Sequence, residues 1–147
     1  MQEDMELQLL ELLRKNWQVD KDNTIFHRNM RRVEGALTQP NVIICDVTDL
    51  DNWNKEGMAE CLALLVVHTR ISVGATTNEA VEEIKQQKHK FREEVYRILK
   101  AVDDGDIEKP EGWEWAFPTR RQNEDNFDAP TPMLGEAINV TIAYERT

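Results

Sequence analysis

The sequence predicts a single α+β domain, in which helices pack on one face of a mostly antiparallel β-sheet. The chain has 147 residues, which is the length of one ordinary domain. It contains two stretches with helical periodicity and several β-branched apolar runs. The segments have hairpin-like links and do not alternate as βα crossovers, and this order favours an α+β sandwich.

The first predicted element is a helix over about residues 3–17. Its leucines and Trp17 recur at helical spacing. Acidic residues open this segment, and Arg14 and Lys15 stand near its end, an order that the helix dipole favours. Residues 20–40 follow and give no clear structural prediction.

Two strands are predicted next, at about 42–47 and 61–73. The first has apolar residues at odd and even positions, which is typical of a strand covered on both faces. The stretch from Asp49 to Gly57 is mostly polar and is predicted to be a loop. A moderate loop between two strands favours an antiparallel pair.

A long helix is predicted over about 78–103, and Asp103-Asp104-Gly105 is expected to end it. Its apolar residues fall on one helical face. They are Val81, Ile84, Phe91, Val95, Ile98 and Val102.

The C-terminal part predicts a short strand over about 113–117 and a final strand over about 133–145. Trp113, Trp115 and Phe117 alternate along the short strand and are expected in the core, with an anchor in a subunit interface as the alternative. Residues 119–132 are predicted to be a flexible loop that becomes ordered against a partner.

Composition and charge exclude several classes of function. The chain has 28 acidic and 18 basic residues, so its formal charge is −10. This charge disfavours specific nucleic-acid recognition and binding to anionic membranes, both of which need clustered cations. No apolar run reaches the roughly 18 residues of a membrane span, and the acidic N-terminus is unlike a signal peptide. Cys45 and Cys61 are expected to be buried thiols in a reducing compartment.

No constellation of residues predicts a catalytic, cofactor or metal site. Asp49-x-Asp51 with Glu60 superficially follows a calcium loop, but Trp53 and Asn54 stand at positions that fix the geometry of that loop.

A metal-nuclease site is disfavoured as well. It would need Asp46, Glu83 and Lys85 on neighbouring strands, whereas Glu83 and Lys85 fall on the predicted helix. The three histidines share no ligand spacing, and His68 is predicted at an edge or an interface. The sequence therefore predicts a protein that is not an enzyme and holds no cofactor.

Charge segregation along the chain predicts contacts between copies. Residues 14–32 carry six bases against two acids, and residues 103–128 carry nine acids against three bases. These segments could meet head to tail in a homo-oligomer, or be two independently solvated loops. The candidate interface residues are Arg28, Arg31, Arg32, His68, Arg70, Trp113, Trp115, Arg120, Arg121, Asp125 and Asp128.

The layout of the chain resembles the tail-terminator and related neck (tail-completion) proteins of long-tailed viruses. The resemblance is one of element order over most of the chain. The segments that carry it are MELQLLELLRKNW, NVIICDV, CLALLVVHTRISV, NEAVEEIKQQKHKFREEVYRILKAV and GEAINVTIAYER.

This resemblance implies a ring, usually hexameric, that caps the tail tube and forms part of the head–tail junction. It implies three partners, namely further copies of the chain, the tail-tube protein and head–tail connector proteins. The implied location is the virion, and the host cytoplasm during assembly. One alternative is a head–tail joining protein of the same neck. The other is a small cytosolic enzyme or binding module whose pocket is built from His68, Arg70 and Trp113.

Overall fold

A computed structural model describes residues 4–28, 41–53, 58–70, 78–125 and 133–145. In these residues two helices pack on one five-stranded sheet, which confirms the predicted α+β class. The elements are α1 (Met5–Asn16), β1 (Thr24–His27), β2 (Asn41–Trp53), β3 (Met58–Arg70), α2 (Asn78–Asp103), β4 (Trp113–Asn123) and β5 (Met133–Glu145).

The sheet has the strand order β1-β2-β3-β5-β4. β1 runs parallel to β2, whereas the β2–β3, β3–β5 and β5–β4 pairs are antiparallel. The sheet is therefore mostly antiparallel, as predicted. β1 and β4 form its two edges.

The N-terminal half of the sheet differs from the sequence prediction in two places. β1 lies in the segment that gave no clear prediction, and a short 3-10 turn at Lys21–Asn23 leads into it. The predicted loop from Asp49 is wrong as far as Trp53, because β2 continues to that residue in a hairpin with β3. The pairing register shifts between Asp49 and Asn52, which breaks the simple alternation that marks a strand in a sequence.

The C-terminal half differs at β4. The predicted loop over 119–132 is wrong for residues 119–123, which continue β4 and pair with β5, and residues 126–132 lie outside the described residues. This end of the strand is polar because it forms an exposed sheet edge.

The start of α1 and the end of α2 each have a recognisable capping interaction. At the start of α1, the Asp4 carboxylate accepts a hydrogen bond from the Leu7 N–H at 3.1 Å. At the end of α2, Gly105 adopts the left-handed conformation with φ of 84°. The Asp106 N–H donates to the Ala101 carbonyl at 2.8 Å and the Gly105 N–H donates to the Val102 carbonyl at 3.2 Å, which is the Schellman arrangement. The predicted helix end is confirmed.

The main core lies between the helices and the sheet. Trp17, at the end of α1, contacts Phe91 of α2 and Phe26 of β1 edge to face, with ring centroids 5.4 and 5.6 Å apart. Of the predicted core positions of α2, Phe91, Val95, Ile98 and Val102 are buried. Ile84 is only half-buried, and the side chain of Val81 lies outside the part of the chain that the structure describes. The other buried residues of this cluster are Leu9, Leu10, Leu12, Leu13, Ile43, Cys45, Leu99, Trp113, Ala116, Ile138, Val140, Ile142 and Tyr144.

A smaller apolar cluster lies on the opposite face of the sheet. Val42 and Ile44 of β2 and Ala137 of β5 are buried there, with Ile25 of β1 beside them. The prediction that the β2 segment is covered on both faces is therefore confirmed.

Candidate subunit interface

Two exposed aromatic side chains stand on β4, on the face of the sheet opposite the helices. Trp115 is 37% exposed and Phe117 is 43% exposed. Their rings stack, with centroids 5.5 Å apart and planes inclined by 29°. Trp115 pairs with Ala143 and Phe117 with Thr141, whereas the intervening Ile142 belongs to the core under the helices. We call Trp115 and Phe117 the aromatic patch.

A bulge in β4 produces this arrangement. Trp113 pairs with Tyr144 and Trp115 pairs with Ala143, so that Glu114 is an extra residue on the β4 side. The bulge puts Trp113 on the helix side, where it is 3% exposed and its Nε1 donates to Gln8 Oε1 at 3.0 Å. The expectation that all three aromatic residues lie in the core is wrong for Trp115 and Phe117. Strand alternation alone places the three on one face and cannot reveal the extra residue.

The free edge of β4 is poorly suited to adding another strand. The register shifts a second time between Pro118 and Arg120, and Pro118 has no N–H to donate. Bulges and proline are features by which proteins protect edge strands from pairing with other chains. The aromatic face of β4 is therefore better suited to a contact with another molecule than its hydrogen-bonding edge is.

Charged residues flank the aromatic patch at both ends. Arg120 pairs with Asn139, on the same face as Phe117, and is exposed. Glu145 lies near the opposite end, where its N–H donates to the Gly112 carbonyl at 2.6 Å, and Glu114 is exposed beside it. On the face opposite the helices, the aromatic patch thus lies between an exposed glutamate and an exposed arginine.

Arg28, a candidate interface residue, is held within its own protomer. Its guanidinium bonds to Asp4 and to Glu6 of α1, the latter at 3.0 Å. Glu6 also accepts the Val47 N–H at 2.9 Å, so this cluster ties α1 to the end of β1 and to β2.

Arg121 belongs to a second internal cluster. Glu136, which is 5% exposed, accepts Arg92 Nη1 at 3.1 Å and lies 3.3 Å from Arg121 Nε. This carboxylate therefore links α2 to β4 and β5.

Asp125, another candidate interface residue, also forms hydrogen bonds within its own protomer. It accepts Lys88 Nζ and the Gly135 N–H, each at 3.0 Å. Burial raises the pKa of Asp125, but these two hydrogen bonds and the Lys88 charge outweigh it, so that the net pKa is lowered. Asp125 fastens the end of β4 and the start of β5 to α2.

The remaining candidates do not converge on one site. His68 pairs with Gly135 and Trp113 pairs with Tyr144, so they lie at opposite ends of β5, about 30 Å apart at 3.3 Å per residue. The alternative pocket built from His68, Arg70 and Trp113 is therefore not assembled. The structure describes only the backbone of His68 and Arg70, and Arg31, Arg32 and Asp128 lie outside the described residues.

Parts of the predicted basic and acidic segments lie side by side within one protomer. Lys15, at the end of α1, and residues 106–111 line the same open groove of about 660 Å³. Gln8 Nε2 donates to the Glu111 carbonyl at 3.0 Å across this junction. If these segments formed a contact between copies, that contact would have to replace the one they already make within the protomer.

The described residues hold no cluster of three metal-ligating side chains, and no described helix is long and apolar enough to cross a membrane. Cys45 is buried, and burial raises the pKa of its thiol. In comparisons with known proteins, no family model and no curated protein matches the chain.

Proposed function

We propose that this protein is a ring-forming tail terminator of a long-tailed virus, which caps the tail tube and forms part of the head–tail junction. The observation that carries the proposal is the aromatic patch, an exposed pair of stacked aromatic side chains on the face of the sheet opposite the helices. The resemblance of the sequence layout to that of tail terminators supports it.

The aromatic patch suits a contact between subunits. Tryptophan and phenylalanine can each bury about 150–250 Å² and dominate the energetics of many interfaces. A contact in which one surface binds a different surface of the next copy closes into a ring when its rotation divides the circle. A ring is the form that a cap on a tube requires.

The net charge of −10 also fits this role. Viral DNA passes through the tail, and an acidic lumen repels phosphates and does not retain the DNA.

Electron microscopy of tail tubes, assembled from the tube protein of the same genome, tests the proposal. We expect wild-type rings at one end of each tube and tubes of uniform length. The Trp115→Ser/Phe117→Ser variant should not form such caps. Leu7→Ser is the matched control, because Leu7 is a comparably exposed apolar residue, at 42%, on α1.

Two outcomes would contradict the proposal. Protein that binds only isolated head connectors, and never tube ends, would favour the head–tail joining role. Protein that stays monomeric and binds neither would exclude both roles in the virion neck.

A further inference from the structure

We infer that the far end of β4, together with the two residues after it, opens as a unit while the rest of the sheet stays folded. We call this segment, residues 119–125, the strap. The opening takes place within one protomer, so the inference does not depend on the proposed ring. It rests on the different contacts that hold the two parts of β4.

The first part of β4 is held by buried apolar side chains. Trp113 and Ala116 belong to the main core beneath the helices, and Trp113 Nε1 also donates to Gln8 of α1. Their partners on β5, Tyr144 and Ile142, are buried in the same core. Residues held in this way are released only when the core itself unfolds.

The strap has no buried apolar side chain. Every residue from Thr119 to Glu124 is exposed, and Asp125 is half-buried. Where the first part of β4 directs apolar side chains toward the helices, the strap directs Arg121 and Asn123 toward α2 and its ion pairs. Segments with few buried apolar contacts open locally at a lower free energy than the core does.

Lys88 of α2 is the main contact that holds the end of the strap. Its Nζ donates to Asn123 Oδ1 at 2.7 Å and to Asp125 Oδ1 at 3.0 Å. Asp125 also accepts the Gly135 N–H at 3.0 Å, so the same carboxylate ties the strap to β5. These contacts are polar, and each group can exchange its partner for water when the strap leaves.

Glu136 of β5 holds the middle of the strap. Its carboxylate lies 3.3 Å from Arg121 Nε and also accepts Arg92 Nη1 of α2 at 3.1 Å. When Arg121 leaves with the strap, Glu136 keeps Arg92 as its partner. Opening therefore does not leave a buried carboxylate unpaired, which would be costly.

The register shift after Pro118 is the hinge. Thr119 is an extra residue between the pairs that Pro118 and Arg120 form with β5, so the pairing of β4 is interrupted there. Beyond the shift, four residue pairs from Arg120 to Asn123 join the strap to β5. β5 stays in place when these pairs break, because it is also paired with β3 along its whole length.

Opening of the strap uncovers an edge of β5. Between Glu136 and Asn139, the backbone groups that pair with β4 lose their partners. Unpaired backbone groups at a sheet edge can pair with an extended segment of another chain. The closed strap therefore protects the sheet from strand addition at this place.

Hydrogen exchange of individual amides in the native protein, followed by NMR at rising urea below the unfolding transition, tests the inference. Exchange of the strap amides should depend little on urea, whereas exchange of residues 113–117 should follow global unfolding. Ile98→Val, which trims the core, should speed exchange in residues 113–117 about three- to tenfold and leave the strap unchanged. The same urea dependence in both parts, or equal acceleration of both by Ile98→Val, would overturn the inference.

Matched arginine variants test the contacts that close the strap. Arg121→Gln removes the contact with Glu136 and should speed exchange in the strap about two- to fivefold, the range for exposed ion pairs. Arg120→Gln is the control, because Arg120 lies on the other face of the strand, and it should leave the rate unchanged. Lys88→Met should speed the same exchange about tenfold or more, since it removes two hydrogen bonds from a charged donor. Wild-type exchange of the strap in both Arg121→Gln and Lys88→Met would overturn the inference.

Discussion

The two faces of the sheet use aromatic residues in opposite ways. On the helix-covered face, Trp17 and Phe91 are fully enclosed and contact each other edge to face. On the other face, Trp115 and Phe117 stack on each other and remain more than a third exposed. A side chain of the first kind stabilises the fold, whereas one of the second kind contributes little until another molecule covers it. The proposed ring would use this difference, because the enclosed rings stabilise the protomer whereas the aromatic patch is accessible to a second copy.

The sharpest contrast between the faces is expected from matched phenylalanine truncations. Phe91→Ala should lower the free energy of unfolding by about 3–5 kcal/mol, because it leaves a cavity in the core. Phe117→Ala should change it by no more than about 0.5 kcal/mol in the monomer, as is usual at exposed sites. Urea denaturation monitored by circular dichroism measures both. Equal losses would show that Phe117 is part of the folding core.

A smaller loss is expected from the buried carboxylate that joins α2 to the sheet. Glu136→Gln should cost about 2 kcal/mol, because Arg92 loses its charged acceptor in a largely buried place. Glu93→Gln is the control, since Glu93 contacts the same arginine from the exposed side. Urea denaturation again measures the free energy of unfolding. If Glu93→Gln lowers it as much as Glu136→Gln does, the burial of Glu136 does not strengthen its ion pair with Arg92.

The smallest effect concerns pH and the Asp125 contact. The pKa of Asp125 is lowered in the folded protein, from its ordinary value of 3.8, by the Lys88 and Gly135 hydrogen bonds, which outweigh the effect of burial. The stability that this ionised group contributes is therefore present above the ordinary pKa and is lost as the pH falls through the folded pKa.

As the pH falls from about 5 to about 2, the Asp125→Asn variant should therefore lose less free energy of unfolding than the wild type does. The control is Glu124→Gln, which removes an exposed neighbouring carboxylate from the same segment. Unfolding free energies measured across this range test the prediction, and a wild-type slope in Asp125→Asn would contradict it.

Long periodic segments of the sequence predicted the fold well. The apolar face of α2 and the alternation of β5 both reflect burial against one layer, and such burial leaves a regular pattern in the sequence. β1 has only four residues and pairs in parallel with β2, so it is too short to show a pattern. The sequence did not predict residues 49–53 as part of β2, because they are mostly polar and their pairing register with β3 is irregular.

The candidate site was harder to predict for a related reason. The exposure of Trp115 depends on the extra residue at Glu114, and a bulge is set by pairing with β5, which is distant in the chain. The internal partners of Arg28, Arg121 and Asp125 come from other elements as well. Sequence spacing identified these charges but could not show that the folded protomer already pairs them.

The most direct test of the central claim is sedimentation equilibrium of three proteins over a range of concentrations. The wild type and Leu7→Ser should both form one discrete oligomer, whereas Trp115→Ser/Phe117→Ser should sediment as a monomer with unchanged unfolding free energy. A wild-type protein that stays monomeric at all concentrations, or a double variant that assembles as well as the wild type, would contradict the claim that the aromatic patch assembles the protein.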